Sequence, residues 1–410
     1  MNFGESKPIV RIMEPIPVEH EGQQLVIVRD PQRITETNLT LSRSAYWVIC
    51  HMNGNNSINR IKQNYKNTFD VDIDILEIEK LVTALDKALF LDNDNFRSYE
   101  RAVIKEFNDN PVRPSALAGK SYPEDPEELS KMLDGFLDGK PESDFTPFAV
   151  IAPHIDLSAG GPVFGAAYAQ LKNSKAETFV ILGIGHNLGG DFFACTDKAF
   201  ETPLGTTATD TNFLNNLESD FGEPIYTEVF THKNEHSIEF QTLFLQKIFG
   251  KDTGSKKIVP ILLSFPENID EIDHPVFNLD RVKKFSNALK KGIDSMGDKV
   301  ALIAGIDLAH VGARFGQEDG AETKKLEALE HDDRKLLDFV ADGDKDEFVA
   351  YMKEINPQNH VCGFPALWML FDLIGGRKGS LLDYQQSIEG SNESAVSFAA
   401  MVFEGNAEDE

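Results

Sequence analysis

The chain has 410 residues, 41% of them apolar, which is enough for two or three domains with packed cores. Sixty-seven acidic against 40 basic residues leave a net charge of −27. That balance argues against binding nucleic-acid backbones, which need lysine and arginine to replace counterions, and against anionic membrane surfaces. Three scattered cysteines, Cys50, Cys195 and Cys362, do not make a disulfide framework. The start "MNFGESKPIVRIMEP" does not read as a signal peptide, and no apolar run approaches the ~18 residues of a membrane span. A cytoplasmic protein is expected, with neither nucleic acid nor membrane as partner.

The first hundred residues read as a small winged-helix α+β domain. "QQLVIVRD" (Gln23 to Asp30) has the composition of a strand, and "TETNLTLSRSAYWVICHM" reads as a turn leading into a short helix. Ser57 is placed as the N-cap of a helix whose apolar face is Ile58, Ile61 and Tyr65. Ile75, Ile78, Leu81, Val82, Leu85 and Leu89 form the stripe of another. "LFLDNDN" is expected to give a short terminal strand and turn, a wing. Residues 101–111, "RAVIKEFNDNP", read as a linker. Cys50 and Cys195 sit in apolar surroundings and are expected in cores.

From residue 112 the pattern changes to α/β. "PEDPEELSKMLDGFLD" is an amphipathic helix opened by acidic residues. The apolar runs "FAVIAPHID", "TFVILGIGHN", "KIVPILLSF" and "VALIAGIDLAH" follow, each ending in a polar or glycine-rich loop. Continuous apolar runs separated by helical stretches predict a mostly parallel or mixed sheet flanked by helices. Ligands of such sheets collect at the carboxyl ends of the strands.

Three of these runs carry a histidine at or just past the strand tip: His154, His186 and His310, the last with Asp307 at its own strand end. One histidine beside an apolar strand is more often structural. Three at equivalent positions converge on one crevice, and neutral imidazole is the commonest metal ligand. "KNEHSIEFQTLFLQKIF" adds Glu235, His236, Glu239 and Gln241. Glu235 and Glu239 are spaced to share a helical face, as are His236 and Glu239, although acidic residues also suit an ordinary helix start. Cys362 precedes a glycine and an apolar helix. It reads either as an inert buried thiol or, at a helix N-terminus, as an available thiolate. Walker loops, G-x-G-x-x-G, C-x-x-C, H-E-x-x-H and G-x-S-x-G are missing, which removes weight from nucleotide, structural-zinc and serine-hydrolase readings.

Residues 112 to about 405 resemble the Memo family. The resemblance is carried in order by "VRPSALAGKSYP", "APH" and "LGIGH", "ETPLGT" and "NEHSIEFQ", "DLAHVGARFG", and "VCGFPAL" with "YQQSIEGSNESAVSFAA". Asn187 departs from the pattern, where a second histidine is usual, and so do Ile155 and Asp156 after "APH". The resemblance implies a fold similar to class III extradiol dioxygenases, whose non-heme iron is held by two histidines and a glutamate. On that likeness His154 and His186 take the imidazole positions and Cys362 the carboxylate position. Asp307 and His310 fall on the acid/base block, and Glu235, His236 and Glu239 line or brace the pocket. A thiolate in place of carboxylate softens the site and suits iron(II), with copper(I) or zinc as alternatives. Residues 1–100 resemble the PqqD-type peptide-recognition domain, on Asn38 to Leu41, Trp47, Gly54 to Ser57 and Leu85 to Leu89.

Together the resemblances imply a metal-dependent redox enzyme acting on a peptide or small protein. They also imply radical-SAM and Ammecr-type partners, as in the AmmeMemoRadiSam system. A binding module without turnover and a metal-dependent hydrolase stand as alternatives.

Overall fold

A computed structural model describes residues 3–266, 278–390 and 393–405. Ser391 and Asn392 of the closing sequence block lie outside the described residues. The chain divides into two compact units at Asp109/Asn110.

The first unit is built on an antiparallel three-stranded sheet, in the order Glu14–His20, Gln23–Arg29, Leu39–Ser42. Glu21 and Gly22 both take positive φ and close the first hairpin, the geometry of a two-residue turn matched to strand twist. Helices Arg43–Cys50, Ile58–Phe69 and Ile75–Lys87 follow. Ser57 caps the second, its hydroxyl accepting the amide N–H of Arg60, and Ile58, Ile61 and Tyr65 are buried as their spacing predicts. Ile78 and Leu85 from the third helix join Val28, Val48, Ile49 and Phe90 in one core.

Three expectations are corrected in this unit. The terminal wing is replaced by a single bridge between Leu91 and Val10, because Asp94 starts another helix three residues later. The linker is mostly helix. Asp94–Asp109 is continuous, and Phe96, Val103 and Phe107 recur at helical spacing within the polar text that suggested a loop. Cys50, the last residue of its helix, is exposed, whereas Cys195 is buried in the short strand Phe193–Cys195.

The second unit carries a mixed sheet of eleven strands among the described residues. Its centre is the four apolar runs, now strands Pro147–Ala152, Val300–Gly305, Thr178–Ile184 and Lys257–Leu263, adjacent in that order and parallel. Ser394–Glu404 closes one side, antiparallel to Pro147–Ala152. Alternate residues serve opposite faces: Ile151, Leu182 and Ile261 enter one core, Val150, Ile181 and Ile258 the other. Helices cover both faces, so every residue of the first three central strands is buried, the condition that makes their sequence read as unbroken apolar runs. Because these strands are parallel, residues following 152, 184, 263 and 305 emerge along one edge of the sheet.

Candidate metal centre

His154, two residues beyond its strand, is buried. Its Nδ1 lies 2.9 Å from the carbonyl oxygen of Gly305. A carbonyl only accepts, so Nδ1 carries the proton and Nε2 keeps its lone pair. His186, two residues beyond Ile184, has Nδ1 at 3.0 and 3.1 Å from the two carboxylate oxygens of Glu235. Nδ1 of His236 lies 3.1 Å from the same carboxylate. Thus all three rings turn Nδ1 to an acceptor.

The ring centroids stand 4.8 to 5.2 Å apart, and one nitrogen from each ring falls within 4.8 Å of the others. Among the described residues these three histidines form the group that could together hold a metal ion. They fit one. Protein imidazoles that ligate metals ordinarily give their other ring N–H to a carboxylate or carbonyl, and here all three do.

Glu235 is nearly fully buried. Burial would raise its proton affinity, but His186 and His236 beside it outweigh this and hold the carboxyl well below the usual range. It also accepts the backbone N–H of His186 at 3.1 Å, of His236 at 2.8 Å and of Ser237 at 3.0 Å. Burial opposes protonation of His186, and Glu235 more than offsets it, so His186 titrates above its ordinary value. His154 has no such partner. Burial, then repulsion from His186 and His236, push it well below.

On the other side of His154, Asp307 Oδ1 accepts the backbone N–H of His154 at 2.9 Å and of Ile155 at 3.2 Å, and Oδ2 lies 3.7 Å from His154 Nε2. Burial raises the Asp307 pKa despite these donors. Cys362 Sγ lies 3.5 Å from His154 Nε2 and 3.5 Å from the Asp307 carbonyl oxygen. Burial and the Asp307 charge raise its thiol pKa well above the ordinary range. His310 opens the strand His310–Gly312, with Nδ1 3.1 Å from the carbonyl of Leu308. Burial lowers its pKa to about 4, with Asp307 opposing.

The site residues read from sequence therefore divide. His154 and His186 meet, and Cys362 stands beside His154. Asp307 braces the His154 backbone, and His310 follows three residues later on the same loop. His236, expected only to line the pocket, is the third imidazole of the cluster. Glu235 braces two of the rings.

Glu239 is not a lining residue. It is fully buried, its oxygens taken up by the guanidinium of Arg113, the hydroxyl of Tyr122, and the backbone N–H groups of Ala116 and Leu117, each at 3.0 Å. Arg113, itself fully buried, also donates to the carbonyls of His232 at 2.9 Å and Glu235 at 2.7 Å. The expected shared face of Glu235 and Glu239 fails because the helix begins at Glu239. Glu235 lies before it, and its carboxylate turns to His186 and to the N–H groups of His236 and Ser237.

A cleft of about 630 Å³ opens beside the cluster. His186 and Cys362 reach it from the site, and Phe265, Val361, Phe364 and Pro365 supply apolar wall. No helix among the described residues is long and apolar enough to cross a membrane.

Residues 113–402 match the family model described as Memo-like protein. The chain is 25% identical over 400 residues to a MEMO1 family protein of Aquifex aeolicus, covering 97% of this chain and 100% of that one. It is 30% identical over 308 residues to one from Thermococcus kodakarensis, covering 71% of this chain and 99% of the relative. A third, from Methanopyrus kandleri, is 29% identical over 307 residues, 71% of this chain and 98% of its own. The Aquifex relative thus spans both units, and the match to the other two is about as long as the second unit.

Proposed function

From the premise that the chain belongs to the Memo-like family, we propose that it is a mononuclear non-heme metal protein with redox activity, iron(II) being the expected ion. One observation carries this reading: three imidazoles at one sheet edge, each with Nδ1 given to an acceptor and Nε2 left as a donor atom. His154, His186 and His236 hold the ion, and Cys362 adds a thiolate once its proton leaves. An ion so held supplies Lewis acidity and a one-electron couple, and imidazole with thiolate suits iron(II), copper(I) and zinc. Glu235 keeps two rings in the binding tautomer. Asp307 holds the His154 backbone. His310, neutral at pH 7 and with its Nδ1 proton given to Leu308, accepts a proton at Nε2. The apolar cleft wall excludes water from one side of a substrate.

A second reading is favoured by the donor set itself. Three histidines are also a hydrolytic zinc set, in which the ion activates water. For the first unit we propose peptide capture by strand addition. Its support is a short sheet whose Glu14–His20 edge is interrupted by Pro15 and Pro17, leaving Leu39–Ser42 as the edge able to take a strand. Radical-SAM and Ammecr-type partners belong to the same proposal.

Protein purified without oxygen and analysed for metals should carry about one iron per chain, and His154→Ala or His236→Ala should abolish it. Oxygen uptake with candidate peptides supports the redox reading. Zinc at full occupancy with ester or amide hydrolysis supports the second. Metal-free wild-type protein that takes up neither ion defeats both.

A further inference from the structure

The three imidazoles come from different parts of the chain, so their spacing depends on whatever ties those parts together. Helix Glu239–Phe249 supplies one such tie. Gln241 on its first turn is fully buried. Its Nε2 donates to the carbonyl of Pro153 at 2.8 Å and to that of Ser237 at 3.1 Å. Pro153 immediately precedes His154, and Ser237 immediately follows His236. A single amide thus joins backbone carbonyls that flank two of the three imidazole-bearing residues.

The amide has one orientation. Its Oε1 accepts the hydroxyl of Tyr168, fully buried, at 2.8 Å. The two carbonyls can only accept, so the nitrogen must face them, which leaves the oxygen to receive the hydroxyl proton. Gly305, whose carbonyl receives Nδ1 of His154, packs directly below. A Cβ there would come within 2.6 Å of Gln241 Nε2 and 2.8 Å of the Ser237 carbonyl oxygen. Next to this amide Ser237 makes the link to the third histidine. Its hydroxyl accepts the N–H of Ile184 at 3.0 Å and donates to the Ile184 carbonyl at 2.9 Å, two residues before His186.

We infer that Gln241 is a positioning residue that sets the separation of His154 from His236 through their flanking backbone carbonyls. This rests on the metal reading above. Methionine at 241 keeps the volume and removes both donations. Glutamate keeps the shape but sets an acceptor against two acceptors.

The test is titration of metal-free protein with cobalt(II), followed by its d–d absorption, with zinc competition to give Kd. Gln241→Met should weaken cobalt about tenfold and shift the d–d bands, and Gln241→Glu should weaken it more, the range usual for groups that orient metal ligands. Gln246 on the same helix is the control. It is buried and bonded to the Gly205 carbonyl and the Thr207 hydroxyl at 3.0 Å each, away from the imidazoles. Gln246→Met should lower Tm and leave Kd and spectrum unchanged. Unchanged Kd and spectrum in both Gln241 variants, with wild-type protein binding cobalt, overturn this inference alone. Wild-type protein that takes up neither cobalt nor zinc overturns it together with the metal reading.

Discussion

Two buried carboxylates flank the imidazole cluster, and they have opposite proton affinities. Glu235 receives three backbone N–H groups and lies against two imidazoles, which hold it well below the carboxylate range. Asp307 receives two backbone N–H groups, and burial raises its pKa. Both are nearly inaccessible, so burial alone does not set the outcome. The two imidazoles that hydrogen-bond Glu235 outweigh its burial, whereas His310 and two backbone N–H groups do not outweigh that of Asp307.

The structures behind the two sides differ in the same sense. Behind Glu235 lies the Arg113–Glu239 pair, whose carboxylate is bonded on both oxygens. Near the Asp307 loop Ser397 accepts the N–H of Ala309 at 2.9 Å. Beside Ser397 lies Asp333, fully buried, with Oδ2 bonded to Tyr384 at 2.8 Å and Oδ1 without a hydrogen-bond partner.

The largest effect should come from breaking the satisfied side. Arg113→Met strands a buried carboxylate and frees two carbonyls. It should destabilise the second unit by about 3–5 kcal/mol in urea unfolding. A loss under about 1 kcal/mol would show that the pair is not what holds the Glu235 segment.

The unsatisfied side should respond in the opposite direction, and with pH. Burial raises the Asp333 pKa to about 7, against the nearby hydroxyls of Ser397 and Tyr384. Folding therefore favours the neutral acid. This contribution is complete below the unfolded value near ~3.9 and is lost as pH rises to about 7. Asp333→Asn removes the titration. It should gain about 2–4 kcal/mol over wild type at pH 8 and much less at pH 4, read from paired urea curves. Equal gains at both pH values would assign the effect to packing.

Much of this arrangement was legible in the sequence where local pattern equals local structure. The four apolar runs became the four central strands, because burial on both faces leaves no polar positions to interrupt them. Parallel strand ends then brought His154 and His186 together. His236 escaped as a third ligand because residues 229–236 form a short 3-10 turn and an irregular stretch before the helix, where helical spacing carries no information. The roles of Gln241 and Arg113 escaped for another reason. A buried polar side chain looks like a surface one until its partners, 88 and 126 residues away for the Pro153 carbonyl and Glu239, are known.

A smaller effect is expected at Glu235 itself. Glutamine there keeps one acceptor but sets an amide donor against ring N–H donors, so at least one imidazole loses its preferred tautomer. Metal affinity should fall about 10- to 100-fold, with Tm changing little.

The smallest effect should come from the matching change on the other side, Asp307→Asn. The asparagine oxygen still accepts the N–H groups of His154 and Ile155, so the backbone brace survives. Nδ1 of His154 answers to Gly305, not to Asp307, so the ring keeps its tautomer. Cobalt affinity should therefore fall less than about tenfold, below the Glu235→Gln loss measured in the same buffer. If Asp307→Asn proves the more damaging, the carboxylate with fewer donors is the one acting on the ion, and the order of the two sides is reversed.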